Sequence, residues 1–282
     1  MGHHYTPQYY LRGFEDPGTD QIWMYDKQGK VEVQRLPILR VAQQKEFYTK
    51  PMECYLAQEI EQPANPVLEK IRRSETIAKD DKVALANYLT TMIKRVPAGR
   101  DLHRQRIEIV CERILQEYRT EASQKISQDP SKEEFVLNRQ TQIEDILSGV
   151  SQDPPKDMWE YVIPPEKTRK WVERFTRMTW TFRTFHSRPA FLTCDNPVFY
   201  FRHLGFDHSE CEVSFPISSH VCLWLTWRQD IREGFIPVDE RILEEFNQRT
   251  VNNATRWVFH ACHEDWIEPF VRKRSRQVHL IR

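Results

Sequence analysis

The sequence predicts an α+β fold, in which a helical middle section packs on a mixed or antiparallel sheet formed by N-terminal and C-terminal strands. Runs rich in β-branched and aromatic residues lie towards both ends of the chain and are typical of strands. Apolar residues at helical spacing fill the middle. The length of 282 residues is enough to bury a sizeable core. We therefore expect a single integrated domain over 1–282, with sections at 1–50, 51–150 and 151–282.

The first section predicts a short capped helix and then a hairpin. Thr6 is the expected N-cap ahead of a proline that suits the first helical position. Gly13 is expected to end that helix, because glycine is the usual residue just after a helix. A turn at 26–29, with glycine at its left-handed position, predicts a hairpin with strands at 22–25 and 30–33.

The middle section predicts helices. Pro63 is expected to end the first of them, because proline interrupts a helix interior. Asp80 and Asp81 are expected to open the third, since acidic side chains favour a helix N-terminus. The predicted helices cover residues 52–61, 67–73, 80–95, 100–122 and 132–147. Asp153-Pro154-Pro155 predicts a linker after them.

The last section predicts further strands and one helix. The predicted strands include Trp180 and Phe182 and cover 191–193, 198–201, 213–215, 221–227 and 256–262, and the helix covers 239–254. Because these strands follow the helical section, the sheet must join residues from both ends of the chain.

Composition limits the classes of function. The 41 basic and 41 acidic residues cancel, so the net charge predicts no bulk attraction to nucleic acid or to an anionic membrane. Six scattered cysteines without a C-x-x-C pair indicate reduced thiols and a cytoplasmic protein. No apolar run is long enough for a transmembrane helix, and we expect no membrane partner. The absence of a glycine-rich phosphate fingerprint disfavours P-loop and Rossmann enzymes.

His4 and Gln8 are the first candidate site residues. They lie among aromatic side chains in an opening run that is too rich in polar chemistry for a frayed terminus. A histidine can be a general base, a metal ligand or a phosphate contact. The alternative is structural, with His4 bonded to a backbone carbonyl and Gln8 capping a neighbouring loop.

Acidic and amide side chains supply the next candidates. Asp195 and Asn196 lie in a turn that follows a predicted strand, which is a common place for a catalytic carboxylate. Ordinary turn chemistry is the alternative and is favoured for Asn196. Glu59 is adjacent to the apolar stripe of its helix, whereas Glu61 is expected on the solvated face.

Arg95, Arg100 and His103 form a basic group around the predicted end of one helix and the start of the next. A partly buried arginine and histidine would suit an anion such as a phosphate. The alternative is an ion pair with Glu59 or Asp195 that holds the helical section on the sheet.

The opening run from His4 to Phe14, with the pattern H-Y-x-P-Q-x-Y-L-x-x-F, resembles the signature of the family called domain of unknown function 4238. The turn T-C-D-N-P-V from Thr193 to Val198 is similar to that family's T-S-D-N-P-V turn, with cysteine in place of the usual serine. The resemblance spans nearly the whole chain. It implies a single integrated domain and supplies no reaction.

Two function hypotheses follow from these candidates. In the first, the chain is a hydrolase of nuclease type that acts on a phosphodiester, with a divalent cation possible and nucleic acid or a nucleotide as partner. The catalytic candidates are His4, Gln8, Glu59 and Asp195, and the substrate-binding candidates are Arg95, Arg100, His103 and Asn196. In the second, the polar cluster is structural and the chain is a non-catalytic module that binds a nucleotide or a protein. The oligomeric state is not predicted.

Overall fold

The computed structural model of the chain describes residues 2–152, 159–160, 163–273 and 278–281. The chain divides into two compact units, one of residues 1–97 and 159–282 and the other of residues 98–158. The expectation of a single integrated domain stays a prediction. The predicted linker at 153–155 lies outside the described residues.

Strands come from both ends of the chain and the longest helices from the middle, which confirms the predicted α+β class. The strands are β1 (Gly2–His4), β2 (Gln21–Asp26), β3 (Gln34–Pro37), β4 (Gln43–Lys45), β5 (Thr179–Thr184), β6 (Thr193–Cys194), β7 (Phe199–Tyr200), β8 (Val213–Ser218), β9 (Val221–Thr226), β10 (Gly234–Pro237) and β11 (Trp257–His260). The helices are α1 (Gln8–Leu11), α2 (Lys50–Tyr55), α3 (Gln62–Arg72), α4 (Lys79–Arg95), α5 (Pro97–Gln128), α6 (Glu133–Gln152), α7 (Pro165–Arg177), α8 (Glu240–Asn253) and α9 (Ile267–Arg272). None of these described helices is long and apolar enough to cross a membrane.

Two larger sheets organise the first unit. One has the strand order β3-β2-β11-β6 and is antiparallel throughout, so it joins the N-terminal hairpin to C-terminal strands as predicted. The other has the order β10-β5-β9-β8-β7 and is mixed, because β10 runs parallel to β5. Helix α3 contacts β8 and α4, and α4 also contacts α7. The second unit contains most of α5 and all of α6.

Tyr10 of α1 links the two larger sheets. Its hydroxyl lies 2.6 Å from Oγ1 of Thr193 in β6 and donates a hydrogen bond of 2.7 Å to the carbonyl of Pro216 in β8. Its ring stacks on Phe215 with the centroids 4.9 Å apart. The side chain is fully buried. The opening run is therefore built into the core.

The start of α1 differs from the prediction. Pro7 occupies the N-cap position with extended backbone angles, and Thr6, which was expected to cap the helix, has a buried hydroxyl without a hydrogen-bond partner among the described residues. Gly13 lies in a 3₁₀ turn (Arg12–Phe14) and does not end the helix in a left-handed conformation. Its small size serves close packing instead, since a Cβ there would meet the carbonyl oxygen of Ile217 at 2.4 Å.

The hairpin has a longer connection than predicted. Gly29 is left-handed as expected, with φ of +67°, but the second strand begins at Gln34 and not at residue 30. The carboxylate of Asp26 accepts hydrogen bonds from the backbone N–H groups of Gln28, Lys30 and Val31. These bonds fold residues 28–31 around the acid and keep them out of the ladder.

The helices continue through proline positions. Helix α2 runs into a π-helix (Leu56–Glu61), which is followed directly by α3, so the predicted end at Pro63 is wrong. Pro63 occupies one of the first two positions of α3, where a missing N–H costs little.

Helices α5 and α6 are longer than predicted. Strands β1, β4 and β10 and helices α7 and α9 were not predicted.

Candidate functional site

The opening strand is fixed at the edge of the helical section. Strand β1 pairs with β4 in antiparallel fashion, with His4 opposite Gln43. The carbonyl of His4 accepts a hydrogen bond of 2.8 Å from Nη2 of Arg95, at the last residue of α4. The structure thus brings together two of the predicted site residues, through the backbone of His4.

Arg95 is the centre of this polar cluster and is only 3% exposed. Its Nη1 lies 2.6 Å from Oε1 of Glu61, and its carbonyl accepts a hydrogen bond of 2.6 Å from the hydroxyl of Tyr48. Burial lowers the pKa of Arg95, but Tyr48 and Glu61 outweigh that effect and hold the pKa above its ordinary value. The arginine is a permanent cation with its carboxylate partner in place.

The ion pair corrects the expected roles of the two glutamates on this helix. Glu59 is exposed, whereas Glu61 is half-buried and pairs with Arg95. In a π-helix each backbone hydrogen bond joins residues i and i+5. Ile60 and Glu61 therefore lie on the same helix face as Leu56, and Glu59 faces solvent. The expectation that Glu61 occupies the solvated face, which assumed α-helical spacing, is wrong.

The two opening histidines have different surroundings. Nδ1 of His3 accepts a hydrogen bond from the backbone N–H of Tyr48, so its proton is on Nε2, which lies 3.3 Å from Oε2 of Glu53. Nδ1 of His4 is buried and has no hydrogen-bond partner among the described residues. Burial is the main cause that lowers the pKa of His4, and a backbone hydrogen bond with Val41 acts against it, as the structural alternative for this residue predicts. The imidazole of His4 is therefore neutral near pH 7.

The carboxylate of Asp195 accepts hydrogen bonds from backbone N–H groups. Its Oδ1 accepts a hydrogen bond of 2.8 Å from the N–H of Thr255, and its Oδ2 accepts bonds of 2.8 and 3.0 Å from the N–H groups of Arg256 and Trp257. The side chain is 2% exposed. Burial raises the pKa of Asp195, and these N–H groups act against that rise. The carboxylate fixes the start of β11.

Asn196 forms a reciprocal amide contact with Asn253 at the end of α8. Nδ2 of Asn196 donates to the carbonyl of Asn253 at 3.0 Å, and Nδ2 of Asn253 donates to the carbonyls of Asn196 and Val198. Asn196 is 3% exposed. These contacts are structural, but they join the turn to the end of α8, which lies 57 residues away along the chain, and they are not the local turn bonds that were expected.

The remaining predicted residues are Gln8, Arg100 and His103. Gln8 begins α1 and is half-buried, and within the described chain no hydrogen bond or ion pair joins it to His4, Arg95 or Asp195. Arg100 and His103 are half-buried residues of the second unit. Nε of Arg100 lies 3.5 Å from Oδ1 of the neighbouring Asp101. Their predicted role in phosphate binding stays a prediction.

A cleft of about 690 Å³ opens beside Glu61, along α3. Its lining residues are Tyr9, Ala57, Glu61, Gln62, Asn65, Pro66, Glu69, Lys70, Arg73 and Glu75. The cleft thus connects the opening run, through Tyr9, with the π-helix and the glutamate that pairs with Arg95. Short π segments in helices are frequent at functional sites.

The polar groups that line the cleft differ in whether they have partners among the described residues. Both lining cations are already paired, Lys70 with Asp81 at 2.9 Å and Arg73 with Glu69 at 3.0 Å. In contrast, Oδ1 of Asn65 is buried and has no hydrogen-bond partner among the described residues. Among the described residues, Asn65 therefore carries a buried acceptor without a partner, and both lining cations are paired.

No metal centre accompanies the cleft. Across the described ranges, no group of three or more His, Cys, Asp or Glu side chains is placed to hold a metal ion. The side chains that carry the polar cluster are one arginine, one glutamate and one tyrosine, which suit an ion-pair network better than metal ligation.

The model of the family described as protein of unknown function (DUF4238) matches residues 2–264. The chain belongs to this family. The match confirms the family that the opening run and the Thr193–Val198 turn suggested. Comparison with curated proteins and with solved structures gave no match.

Sequence reasoning missed three residues of the site in this DUF4238 protein. The sequence pattern gives no role to Tyr48 or Asn65, and it predicts Glu61 on the solvated face. Tyr48 follows Phe47, and that aromatic pair was the one available signal for it. Nothing in the local pattern of Asn65 marks an acceptor that the fold leaves without a partner.

Proposed function

We propose that this chain is a non-catalytic binding module and that the cleft along α3 binds a cationic, donor-rich group, such as an arginine side chain of a partner protein. The observation that carries this proposal is the buried Oδ1 of Asn65, which has no hydrogen-bond partner in the described part of the chain, in a cleft whose lining cations are already paired. A buried acceptor without a partner costs about 1–3 kcal/mol, so a ligand that donates to it regains that amount.

The charge of the lining supports the same class of ligand. Three glutamates, Glu61, Glu69 and Glu75, line the cleft with two cations, Lys70 and Arg73. Glu61 pairs with Arg95 and Glu69 with Arg73, so Glu75 is the lining carboxylate that has no ion pair among the described residues. A phosphodiester would need free cations or N–H donors. This lining therefore favours a cation over the phosphate-bearing partner that the sequence suggested.

The state of Asp195 supports a non-catalytic role. A general base must reach the proton that it abstracts, whereas this carboxylate already accepts three backbone hydrogen bonds. Arg95 is likewise engaged by Glu61 and by the carbonyl of His4. Both residues stabilise the fold in this proposal.

Calorimetric titration with arginine amide tests the proposal. Asn65→Asp keeps the shape and adds a charge, so it should tighten binding about tenfold, since charge-assisted hydrogen bonds are roughly twice as strong as neutral ones. Asn65→Leu removes the acceptor and should weaken binding about tenfold. Glu59→Gln is the matched control on the neighbouring π-helix, outside the lining, and should leave the affinity unchanged.

A hydrolase of nuclease type is the second candidate, and the observation that favours it is Nδ1 of His4, which is buried and has no hydrogen-bond partner within the described ranges. A neutral imidazole with an open nitrogen can act as a general base. The assay is nuclease activity with and without Mg²⁺ or Mn²⁺, on the wild type and on His4→Ala, with His3→Ala as the matched control. Activity lost only in His4→Ala would support the hydrolase and overturn the non-catalytic proposal.

A further inference from the structure

Helices α5 and α6 of the second unit form an antiparallel hairpin. The 3₁₀ turn Pro130–Lys132 lies between them, and Nη2 of Arg119 lies 2.7 Å from Oε1 of Glu144. Over residues 98–150, where the structure describes the burial of this unit, the buried apolar side chains are Cys111, Ala122 and Val136. An amphipathic helix buries its apolar stripe against another element, so the apolar residues that remain exposed on this hairpin indicate a missing packing partner.

The ion pair between Arg119 and Glu144 marks one broad side of the hairpin. Arg119 is 58% exposed, so this contact lies at the edge of the seam between the helices. Val110 lies nine residues before Arg119, which is about two and a half helical turns, so it projects from the opposite side of α5. Phe135 has the same spacing from Glu144 and projects from the opposite side of α6. Val110 and Phe135 therefore share the other broad side of the hairpin.

That other side, which we call the apolar face, carries exposed hydrophobic residues from both helices. Ile114 follows Val110 by one turn on α5, and Ile146 lies three turns after Phe135 on α6. The exposed fractions are 42% for Val110, 41% for Ile114, 70% for Phe135 and 64% for Ile146. An exposed apolar surface that is rimmed by charged residues marks an interaction site.

Opposite charges flank the apolar residues of α5. Arg106, Val110 and Ile114 follow one another at four-residue spacing, and Glu121 continues the stripe two turns later. Arg106 and Glu121 are both exposed, and the contact of Glu121 with Lys125, at 3.9 Å, is a weak solvated pair. Ile114 lies near the midpoint between Arg106 and Glu121. A two-fold axis at Ile114 therefore places Arg106 of each copy beside Glu121 of the other, whereas parallel helices would place like charges together.

The area of contact is sufficient for a dimer. Two antiparallel copies of α5 (Pro97–Gln128) that are centred near Ile114 overlap over most of their length. Such an overlap is about 45 Å long and about 10–12 Å wide, from the rise and diameter of a helix. Each copy thus contributes roughly 500 Å², and a total of about 1,000 Å² is what a biological interface needs.

We propose that the apolar face joins two copies of this chain, with α5 packed antiparallel on α5 of the second copy about a two-fold axis at Ile114. Arg119 lies level with Glu144 in the hairpin, so this axis brings Val110 of each copy level with Ile146 of the other. The same patch is buried on both copies, as in other isologous dimers. The proposal concerns the second unit and is independent of the cleft along α3.

Sedimentation equilibrium of the full chain, over a range of micromolar concentrations, tests the dimer. The wild type should associate, and Ile114→Asp and Ile146→Asp should each weaken association at least about tenfold, because each buries an unpaired charge. The matched controls also alter exposed apolar residues, Ile109 on the outer side of α5 and Leu137 on the ion-pair side of α6, which are 64% and 45% exposed. Ile109→Asp and Leu137→Asp should leave the association unchanged.

Charge reversal tests the antiparallel arrangement without removing any packing. Arg106→Glu and Glu121→Arg each bring like charges together across the axis, so each variant alone should associate at least about tenfold more weakly than the wild type. An equimolar mixture of the two variants restores both contacts between opposite charges. The mixture should therefore recover the dimer.

Three results overturn the proposal. The first is a wild-type chain that stays monomeric over the whole concentration range. The second is a dimer that Ile114→Asp weakens no more than Ile109→Asp does, because the contact would then lie outside the apolar face. The third is a mixture of the Arg106→Glu and Glu121→Arg chains that associates no better than either chain alone.

Discussion

The guanidinium of Arg95 and the carboxylate of Glu61 form an ion pair, with Nη1 and Oε1 2.6 Å apart, that joins the end of α4 to the π-helix. The same guanidinium donates to the carbonyl of His4. One buried cation thus connects the opening strand, the π-helix and α4, and the cleft along α3 lies beside that connection.

Replacing Glu61 tests how much this ion pair stabilises the fold. Glu61→Gln leaves the buried guanidinium without its counter-charge, which typically costs about 3 kcal/mol or more in the free energy of unfolding. Urea denaturation measures the loss. The control is Glu117→Gln, which removes the partner of Arg113 in an exposed pair on α5. Such exposed pairs contribute about 0–1 kcal/mol, so equal losses in both variants would contradict a special role for Arg95.

Asp195→Asn tests the structural role of the turn carboxylate. The amide keeps the shape but has one acceptor oxygen for three backbone N–H donors, so we expect a loss of about 2 kcal/mol or more. Binding of arginine amide should be unchanged. Asp207→Asn, which alters a surface pair with Arg174, is the control. Preserved stability together with altered ligand binding would point to a direct functional role for Asp195.

The pH dependence of stability should report on His4. Its pKa is lowered from the ordinary 6.5 by burial, so the unfolded chain binds more protons over the range below pH 6.5. The free energy of unfolding therefore falls as the pH drops through that range. His4→Asn removes the titration and should reduce this acid loss, as measured by urea unfolding at a series of pH values. An unchanged pH profile would show that His4 is not buried as described.

Glycine substitutions test the close approach at residue 13. Gly13→Ala places a methyl group against the carbonyl of Ile217, and backbone overlap of this kind costs about 1–3 kcal/mol. In Gly149→Ala, on α6, the added methyl group meets nothing within 4 Å. The free energy of unfolding should rise by about 0.5–1 kcal/mol, because alanine has a higher helix propensity than glycine. Thermal unfolding compares the two. A neutral Gly13→Ala would mean that α1 and the end of β8 are more loosely packed.

Some of this architecture could be predicted from local pattern. The capping acid Asp239, the acids at the start of α4 and the apolar runs of β5 and β9 each specify their own element. The predicted strand ends of the hairpin were less accurate. The carboxylate of Asp26 accepts hydrogen bonds from residues within 28–31, and hydrophobic periodicity does not encode these contacts.

The site was harder to predict than the fold. Assigning Glu59 and Glu61 to helix faces required knowledge of the π-helix, whose wider turn rotates both residues. The partner of Arg95 lies 34 residues earlier in the chain, and no short-range spacing connects the two. Asn65 became a candidate only once the fold showed that its Oδ1 is buried without a partner.

The central claim is that the cleft along α3 is a binding site for a cationic, donor-rich group. Its most direct test is the ratio of the affinities of Asn65→Asp and Asn65→Leu for arginine amide, measured by calorimetry under identical conditions. The account predicts a ratio of about one hundred, from a tenfold gain and a tenfold loss. Equal affinities in the two variants, with both folded as the wild type, would contradict it.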